Sequence, residues 1–436
     1  MQINSHYKFF SFILIFLSIS SFFLGFIYGE NSAGAGTLNN DFQNVWKNLR
    51  TFLNNDLSRA IEFTAAADGA YYKSSRTPLI YILNALFNPF VETKMDFIRS
   101  IFVFSLTIPI FFYLCLKQKF NKEQSILLIL ISSIICLSPY FRTSAYWGLE
   151  ENFGIVSLLL AFLFLNQFIS HRSNDWKKYF KLFLTVFFSS ICLYFDQKLI
   201  IIPLICFLKI ILSNESIKLK IFLIFFYFIF SLPYLYLIAS WGNIIPTKDA
   251  EGRNIGSQIH FYHLGYSVTM LAFYLLPLLL FKKRISELIK SFFYERKNYY
   301  SIALFFIYLA YLLIFHEFDK ESVLGKGVVH KFALLIFDND LFQKVFIYFS
   351  FFISWIIVLI YFKDNLNDKL IVAYFLLSSI VIWPIQQEYF DPLIMIMAFT
   401  FFDTKIILSY RNSIFLYLYL SVLLISSNFY YYNLLN

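Results

Sequence analysis

The chain has 436 residues, of which 59% are hydrophobic, 22% aromatic and only 14% charged, and its mean hydropathy of +0.65 excludes an ordinary water-soluble domain. Apolar runs near 20 residues recur along nearly the whole length, enough helix to cross a hydrocarbon core of about 30 Å. The predicted fold is an all-α polytopic membrane protein. A net charge of +9 would suit nucleic acid, but basic residues gathered between spans follow from topology, and no nucleic-acid partner is expected.

The 58 Phe and 31 Tyr carry no functional reading, because Phe, Tyr, Ile, Lys and Asn share AT-rich codons. Cys115, Cys136, Cys192 and Cys206 all fall inside apolar runs. Their spacing matches neither a metal site nor a disulfide framework, and they read as inert packing residues.

In chain order, "FFSFILIFLSISSFFLGFIYG" (Phe9 to Gly29) is longer than the apolar core of a signal peptide, which makes residues 1–29 a retained first span. Residues 30–95 form a polar outer loop. Within it "WKNLRTFLNNDLSRAIEF" has helical spacing, and "TPLIYILNALFNPF", bounded by Pro78 and Pro89, is too short to span. The loop is therefore predicted to carry two interfacial helices. Twelve further spans are predicted at about 96–116, 124–140, 152–170, 179–195, 198–213, 219–240, 264–281, 299–315, 344–362, 369–385, 389–403 and 412–431, about thirteen in all, within one integral-membrane domain over residues 1–436.

With the amino terminus in the cytoplasm, the inner segments hold 21 Lys+Arg and 8 Asp+Glu and the outer segments 15 Lys+Arg and 19 Asp+Glu. Net charges of +13 inside and −4 outside have the sign that the positive-inside rule requires. The longest, chemically varied loops (30–95, 140–151, 241–263 and 316–343) all lie outside. No GxxxxGK[ST] phosphate loop is present. The chemistry is predicted at the outer face.

Several outer clusters are candidates. Asp41, in "NNDFQNVW", suits a helix N-cap, a role compatible with catalysis. "TAAADGAYYKSSRTPLIYILNALF" leads through a proline into a helix, with Lys73 and Arg76 available to headgroups. "SPYFRTSAYWGLEENFG" offers Arg142, Glu150 and Glu151; adjacent acids point in different directions on a helix, so one of the two faces any given site. Asp196 and Lys198 stand close to the apolar zone, where a charge needs a partner or a cavity, and a structural salt bridge is the alternative.

"KDAEGRNIGSQIHFYH" and "GKGVVHKF" supply Arg253, His260 and Lys331, suited to an anionic phosphate or, equally, to lipid headgroups. "WPIQQEYFDPL" supplies Gln387 and Asp391, able to hold sugar hydroxyls or to cap the following span. No metal-ligand signature is present.

The order of these elements resembles the GT-C superfamily of membrane glycosyltransferases: an apolar first span, a large outer loop with an acid near its start, two loop helices, then a multi-span body. "DFQNVW" looks like the acid-bearing start of that loop. "SSRTPLIYILNALF" is similar to its proline-led second helix, with Arg76-Thr77-Pro78-Leu79 where relatives often have HPPL. "YFDQKLIIIPL" and "QQEYFDPL" are similar to junctions of dolichyl-type glucosyltransferases and related bacterial enzymes.

The resemblance implies transfer of a sugar, in the manner of mannosyl-, arabinosyl- or glucosyltransferases, from a polyprenyl-phosphate donor to a glycan, lipid or protein acceptor. It implies inversion at the sugar carbon, and an active site on the extracytoplasmic side of a bacterial inner membrane. On that reading Asp41 is the catalytic base. Arg142, Lys198, Arg253, His260 and Lys331 are candidates for the donor phosphate, and Glu151, Asp196 and Gln387 for secondary acids or sugar ligands. No cofactor is implied beyond the lipid-linked donor, and divalent metal dependence stays open because Asp41 lacks the adjacent acid of many relatives. The alternatives are a transporter or flippase, or a polymerase or ligase, of lipid-linked glycans. The first calls for midspan charges and inverted repeats, neither of which the sequence offers, and the second for a large late outer loop.

Overall fold

The computed structural model describes residues 5–33, 41–65, 77–120, 123–173, 175–242, 259–282, 285–315, 325–381 and 385–435. Every regular element among them is helical, as a chain facing lipid requires, since helices satisfy their own backbone groups. The chain, expected to form one domain, divides by its internal contacts into two compact units: Met1–Gly252 with Ser413–Asn436, and Arg253–Asn412.

Unit 1 begins with α1 (Ser5–Ile27). Among the described residues between α1 and Lys94, where two interfacial helices were expected, three helices form: α2 (Asp41–Asn54), α3 (Leu57–Ala65) and α4 (Leu79–Phe87). The run with helical spacing breaks at Asn55, whose Nδ2 turns back to the Thr51 carbonyl at 2.9 Å, the local competition with helix that makes Asn a good terminator. Phe42, Val45, Leu49 and Phe52 line the buried face of α2. They pack with Ile80 and Tyr81 of α4, with Phe97, Ile98 and Ile101 of α5 (Lys94–Ser105), and with Leu149 and Phe195. Burying an apolar side chain of this size stabilises by about 1.5–3 kcal/mol. The Asn48 amide donates to the Tyr81 hydroxyl at 3.1 Å and fixes α2 against α4.

The body of unit 1 follows. α5 and α6 (Thr107–Lys119) together make one candidate span, Lys94–Lys119. α7 (Ser125–Ser133), with a 3-10 turn at Ile134–Leu137, meets α8 (Pro139–Tyr146) at a 68° bend; Pro139 has no N–H to continue the ladder. α9 (Glu151–Ser170), α10 (Trp176–Phe195), α11 (Ile201–Ile211) and α12 (Ile217–Trp241) complete the series. Lys178 of α10 pairs with Glu215, just after α11, at 2.8 Å, so the chain through α11 returns to the start of α10. At this same end Asp175 caps α10 through the Lys178 N–H at 3.1 Å. His171 and Ser173 hold the Asp175 carboxyl down to about 2.

Unit 2 contains α13 (Tyr262–Leu275), α14 (Ile285–Tyr294), α15 (Arg296–Phe315), α16 (Gly327–Ile336), α17 (Asp340–Tyr361), α18 (Leu366–Ser378) and α19 (Leu393–Thr400). One end is tied by His260 N–H to the Ile380 carbonyl at 2.8 Å and by Lys326 N–H to the Ile385 carbonyl at 2.7 Å. The other is tied by the Ile407 N–H to the Phe281 carbonyl at 2.7 Å. There Asp368 accepts from the Thr404 N–H at 2.7 Å and the Thr404 hydroxyl at 2.6 Å. The last helix, α20 (Tyr410–Leu435), returns to unit 1, where Asn428 Nδ2 donates to Glu30 at 3.2 Å and Ser427 Oγ to the Ser32 carbonyl.

Eight helices are long and apolar enough to cross a membrane, nine if the bent α7–α8 pair counts as one. The remaining expected spans, at 198–213, 264–281, 369–385 and 389–403, are short or broken helices. Pro277 starts a 3-10 turn after α13, and α19 is confined between Pro392 and Phe401.

Candidate functional site

In unit 1 the packing around α2 gathers residues far apart in sequence. Phe42 follows Asp41, Leu149 precedes Glu150, and Phe195 precedes Asp196, and all three apolar residues belong to one buried cluster. Asp41, the Glu150–Glu151 pair and the Asp196–Lys198 junction therefore sit at one end of unit 1, beside the loop helices. The Thr77 hydroxyl, leading into α4, donates to the Tyr194 carbonyl at 2.6 Å and brings α4 to the same end.

Asp41 is half-buried in the first turn of α2, where the helix N-terminus favours negative charge. Glu151 opens α9 in the same way. Its Oε1 lies 3.7 Å from Lys198 Nζ, and its Oε2 accepts from the Ser144 hydroxyl at 3.1 Å. The adjacent acids do diverge: Glu150 is buried, while Glu151 keeps partial access. Asp196 is buried and caps the 3-10 turn Gln197–Ile200, its Oδ1 accepting from the Lys198 N–H at 3.0 Å. This leaves a half-exposed carboxylate and a partly exposed ammonium, Asp41 and Lys198, around one apolar floor.

Arg142 has a different setting from the expected phosphate contact. It is 2% exposed and uses all five of its N–H groups within the protein. Nε donates to Glu30 at 2.8 Å, Nη1 to the Ser21 hydroxyl at 3.2 Å and the Cys136 carbonyl at 2.9 Å, and Nη2 to the Ser21 carbonyl at 2.8 Å and to Glu30. A guanidinium has five donors, so none is left for a phosphate in this arrangement. A Cβ at Gly25 would fall on Arg142 and Glu30, which is why α1 carries glycine there. Glu30 was not among the sequence candidates. Its one visible signal is that it is the first charge after span 1, and its pairing across 112 positions leaves no local trace.

In unit 2, His260, Lys331 and Gln387 come to one end. Gly325, Lys326 and Gly327 take φ of 82°, 58° and 76°, a left-handed run that only glycine adopts easily and that leads into α16. The Gln387 amide docks on this turn. Its Oε1 accepts from the Val328 N–H at 3.2 Å and its Nε2 donates to the Tyr274 hydroxyl at 3.1 Å. Gln387 is buried and, through the Val328 N–H, tethers the first turn of α16.

His330 Nδ1 and the Tyr266 hydroxyl share a hydrogen bond of 3.1 Å, and the His260 and His263 ring centroids lie 4.9 Å apart with the planes tilted by 32°. Burial holds the His260 imidazole below its ordinary value, towards the neutral ring. Burial also pushes the Lys331 ammonium down to about 8, against the opposing pull of Glu388. Arg253, with Lys73 and Arg76, lies outside the described residues.

No group of three or more His, Cys, Asp or Glu placed to hold a metal ion occurs among the described residues. All four cysteines are buried free thiols. No protein-family model matches the chain, and no curated protein or solved structure matches it either.

Proposed function

We propose that the protein is an inverting membrane glycosyltransferase of the GT-C kind. It moves a sugar from a polyprenyl-phosphate donor to a glycan, lipid or protein acceptor at the extracytoplasmic face of a bacterial inner membrane. The observation that carries this reading is the convergence of Asp41, Glu151, Asp196 and Lys198 at the loop-helix end of unit 1. The proposal keeps thirteen crossings with a cytoplasmic amino terminus. It is supported by ties that join expected outer residues to each other, His260 to Ile380 and Lys326 to Ile385, and expected inner residues to each other, Lys178 to Glu215 and Ile407 to Phe281.

On this reading Asp41 takes the proton of the acceptor hydroxyl as that oxygen bonds to the sugar carbon. The bond from sugar to phosphate breaks, and its electron pair leaves with the phosphate. Lys198, released from Glu151, offers its ammonium to the developing charge. Glu151 and Asp196 hold Lys198 in place until donor arrives. His260 and Lys331 belong to unit 2, and their part in donor binding is separately testable.

The test compares glycolipids and surface glycans of cells with and without the protein by mass spectrometry. Accumulation of a polyprenyl-phosphate sugar with loss of one glycan residue is expected. An unchanged glycan profile with altered flipping of a labelled lipid-linked sugar would move the protein to the flippase class.

A further inference from the structure

The basic linker Lys282 to Lys297 holds six Lys+Arg and two Asp+Glu and forms α14, a helix of only ten residues, too short to span. One face of α14 is fixed to the protein. Phe292 is buried, Lys363 reaches Ser291 and pairs with Glu295 at 2.9 Å, and Asn298 Nδ2 donates to the Phe292 carbonyl at 2.8 Å. The opposite side presents apolar and basic groups. Ile289 and Phe293, at i and i+4, are exposed to 38% and 45%; Lys290, next to Ile289, and Arg296, the first residue of α15, are exposed too.

We propose that this face of α14, with the start of α15, is a binding surface for an anionic phospholipid, with acyl chain against Ile289 and Phe293 and phosphate against Lys290 and Arg296. Two features select a lipid over a soluble partner. Across the break at Glu295, Tyr300, Leu304 and Ile307 of α15 are exposed as well, on a candidate span with only 17% of its apolar window buried, so the helix that directly follows α14 already calls for a lipid surface. The charge is also predominantly positive: Glu295 pairs with Lys363, and the linker holds six Lys+Arg against two Asp+Glu, of which Glu287 is exposed on α14. Helices with an apolar stripe flanked by Lys and Arg lie in the membrane interface in this way. The preference for anionic over zwitterionic headgroups is expected on the order of fivefold per basic side chain.

The experiment uses the full chain in nanodiscs, with bimane attached at Phe293→Cys; the native cysteines are buried and serve as the unlabelled background. Quenching by headgroup-proximal spin-labelled phosphatidylglycerol is compared with that by spin-labelled phosphatidylcholine at equal mole fraction. Severalfold stronger quenching by phosphatidylglycerol, abolished by K290Q/R296Q, is the expected result. Equal quenching by the two lipids, or quenching by aqueous iodide exceeding both, would overturn the proposal. In the second case α14 faces water or a soluble partner. A label-free control measures thermal stability of K290Q/R296Q, whose side chains are exposed: phosphatidylglycerol should raise the melting temperature of the unmodified protein and not of the variant, and an equal rise in both would also count against it. Either result leaves the sugar-transfer reading untouched.

Discussion

Arg142 offers five N–H groups and all five are taken, so its substitution should read as a stability defect before a catalytic one. R142M strips Glu30 of its partner, and breaking a buried ion pair costs about 3–5 kcal/mol. Thermal unfolding in detergent should show a marked loss for R142M and partial recovery in E30Q/R142M. Asp41→Asn should do the reverse. Its half-buried place at the start of α2 tolerates an isosteric amide, so the melting temperature should hold while transfer from a lipid-linked donor falls by about 10²–10⁴-fold; near-normal turnover would remove Asp41 from the mechanism.

Lys331, held at about 8, gives a pH test. If it contacts donor phosphate, affinity should weaken as pH rises through about 8, and K331M should remove that dependence. The stability sign is opposite. Below about 8 the buried ammonium burdens the fold, and because the unfolded chain binds more protons between about 8 and 10.4, stability should rise with pH over that window. At this scale the sequence located Asp41, Glu151, Asp196 and Lys198 as residues of one end. It could not separate Arg142 from them, because the acid that occupies it lies 112 positions away. Nor could it foresee that Gln387 tethers a helix, since that role depends on a left-handed turn sixty residues earlier.

Among the elements, the long uniform apolar helices were legible and the broken ones were not. Length and hydropathy alone identify α1, α9, α10, α12, α15, α17 and α20, whose bounds lie within a few residues of the predicted spans. The stretches at 264–281 and 389–403 have the hydropathy of spans, but Pro277, Pro392 and the irregular segment at 401–409 decide their helical length. Hydropathy averages over such breaks. The α2–α3 division was missed for a similar reason, because helical periodicity persists across Asn55. One close approach gives a direct test of packing. A Cβ at Gly265 of α13 would fall on the Phe351 ring of α17, so G265A should overpack this contact and destabilise by about 1–3 kcal/mol, seen as a lower melting temperature. G242A should strain only the left-handed end of α12 (φ 69°) without a packing clash.

For the molecule as a whole, the charge ledger makes the orientation testable. Of single cysteines at Arg50 and at Arg172, both exposed and predicted on opposite sides, the first should label when intact cells are treated with an impermeant maleimide and the second only after the cells are permeabilised. Labelling of both from one side would refute the thirteen-span topology. The division into two units was not legible, because the same apolar composition runs through both and the boundary shows only in who packs against whom.

That division also bears on the order in which the chain is made. Glu30 is made more than a hundred residues before Arg142, and Asn428, which also donates to Glu30, follows it by 398 positions. Between those moments the whole of Arg253–Asn412 must be synthesised and inserted while unit 1 stands open at the seat of α20. A stop codon near position 412, which removes α20, should therefore yield a product cleared quickly in pulse-chase even though every candidate catalytic residue has already been translated.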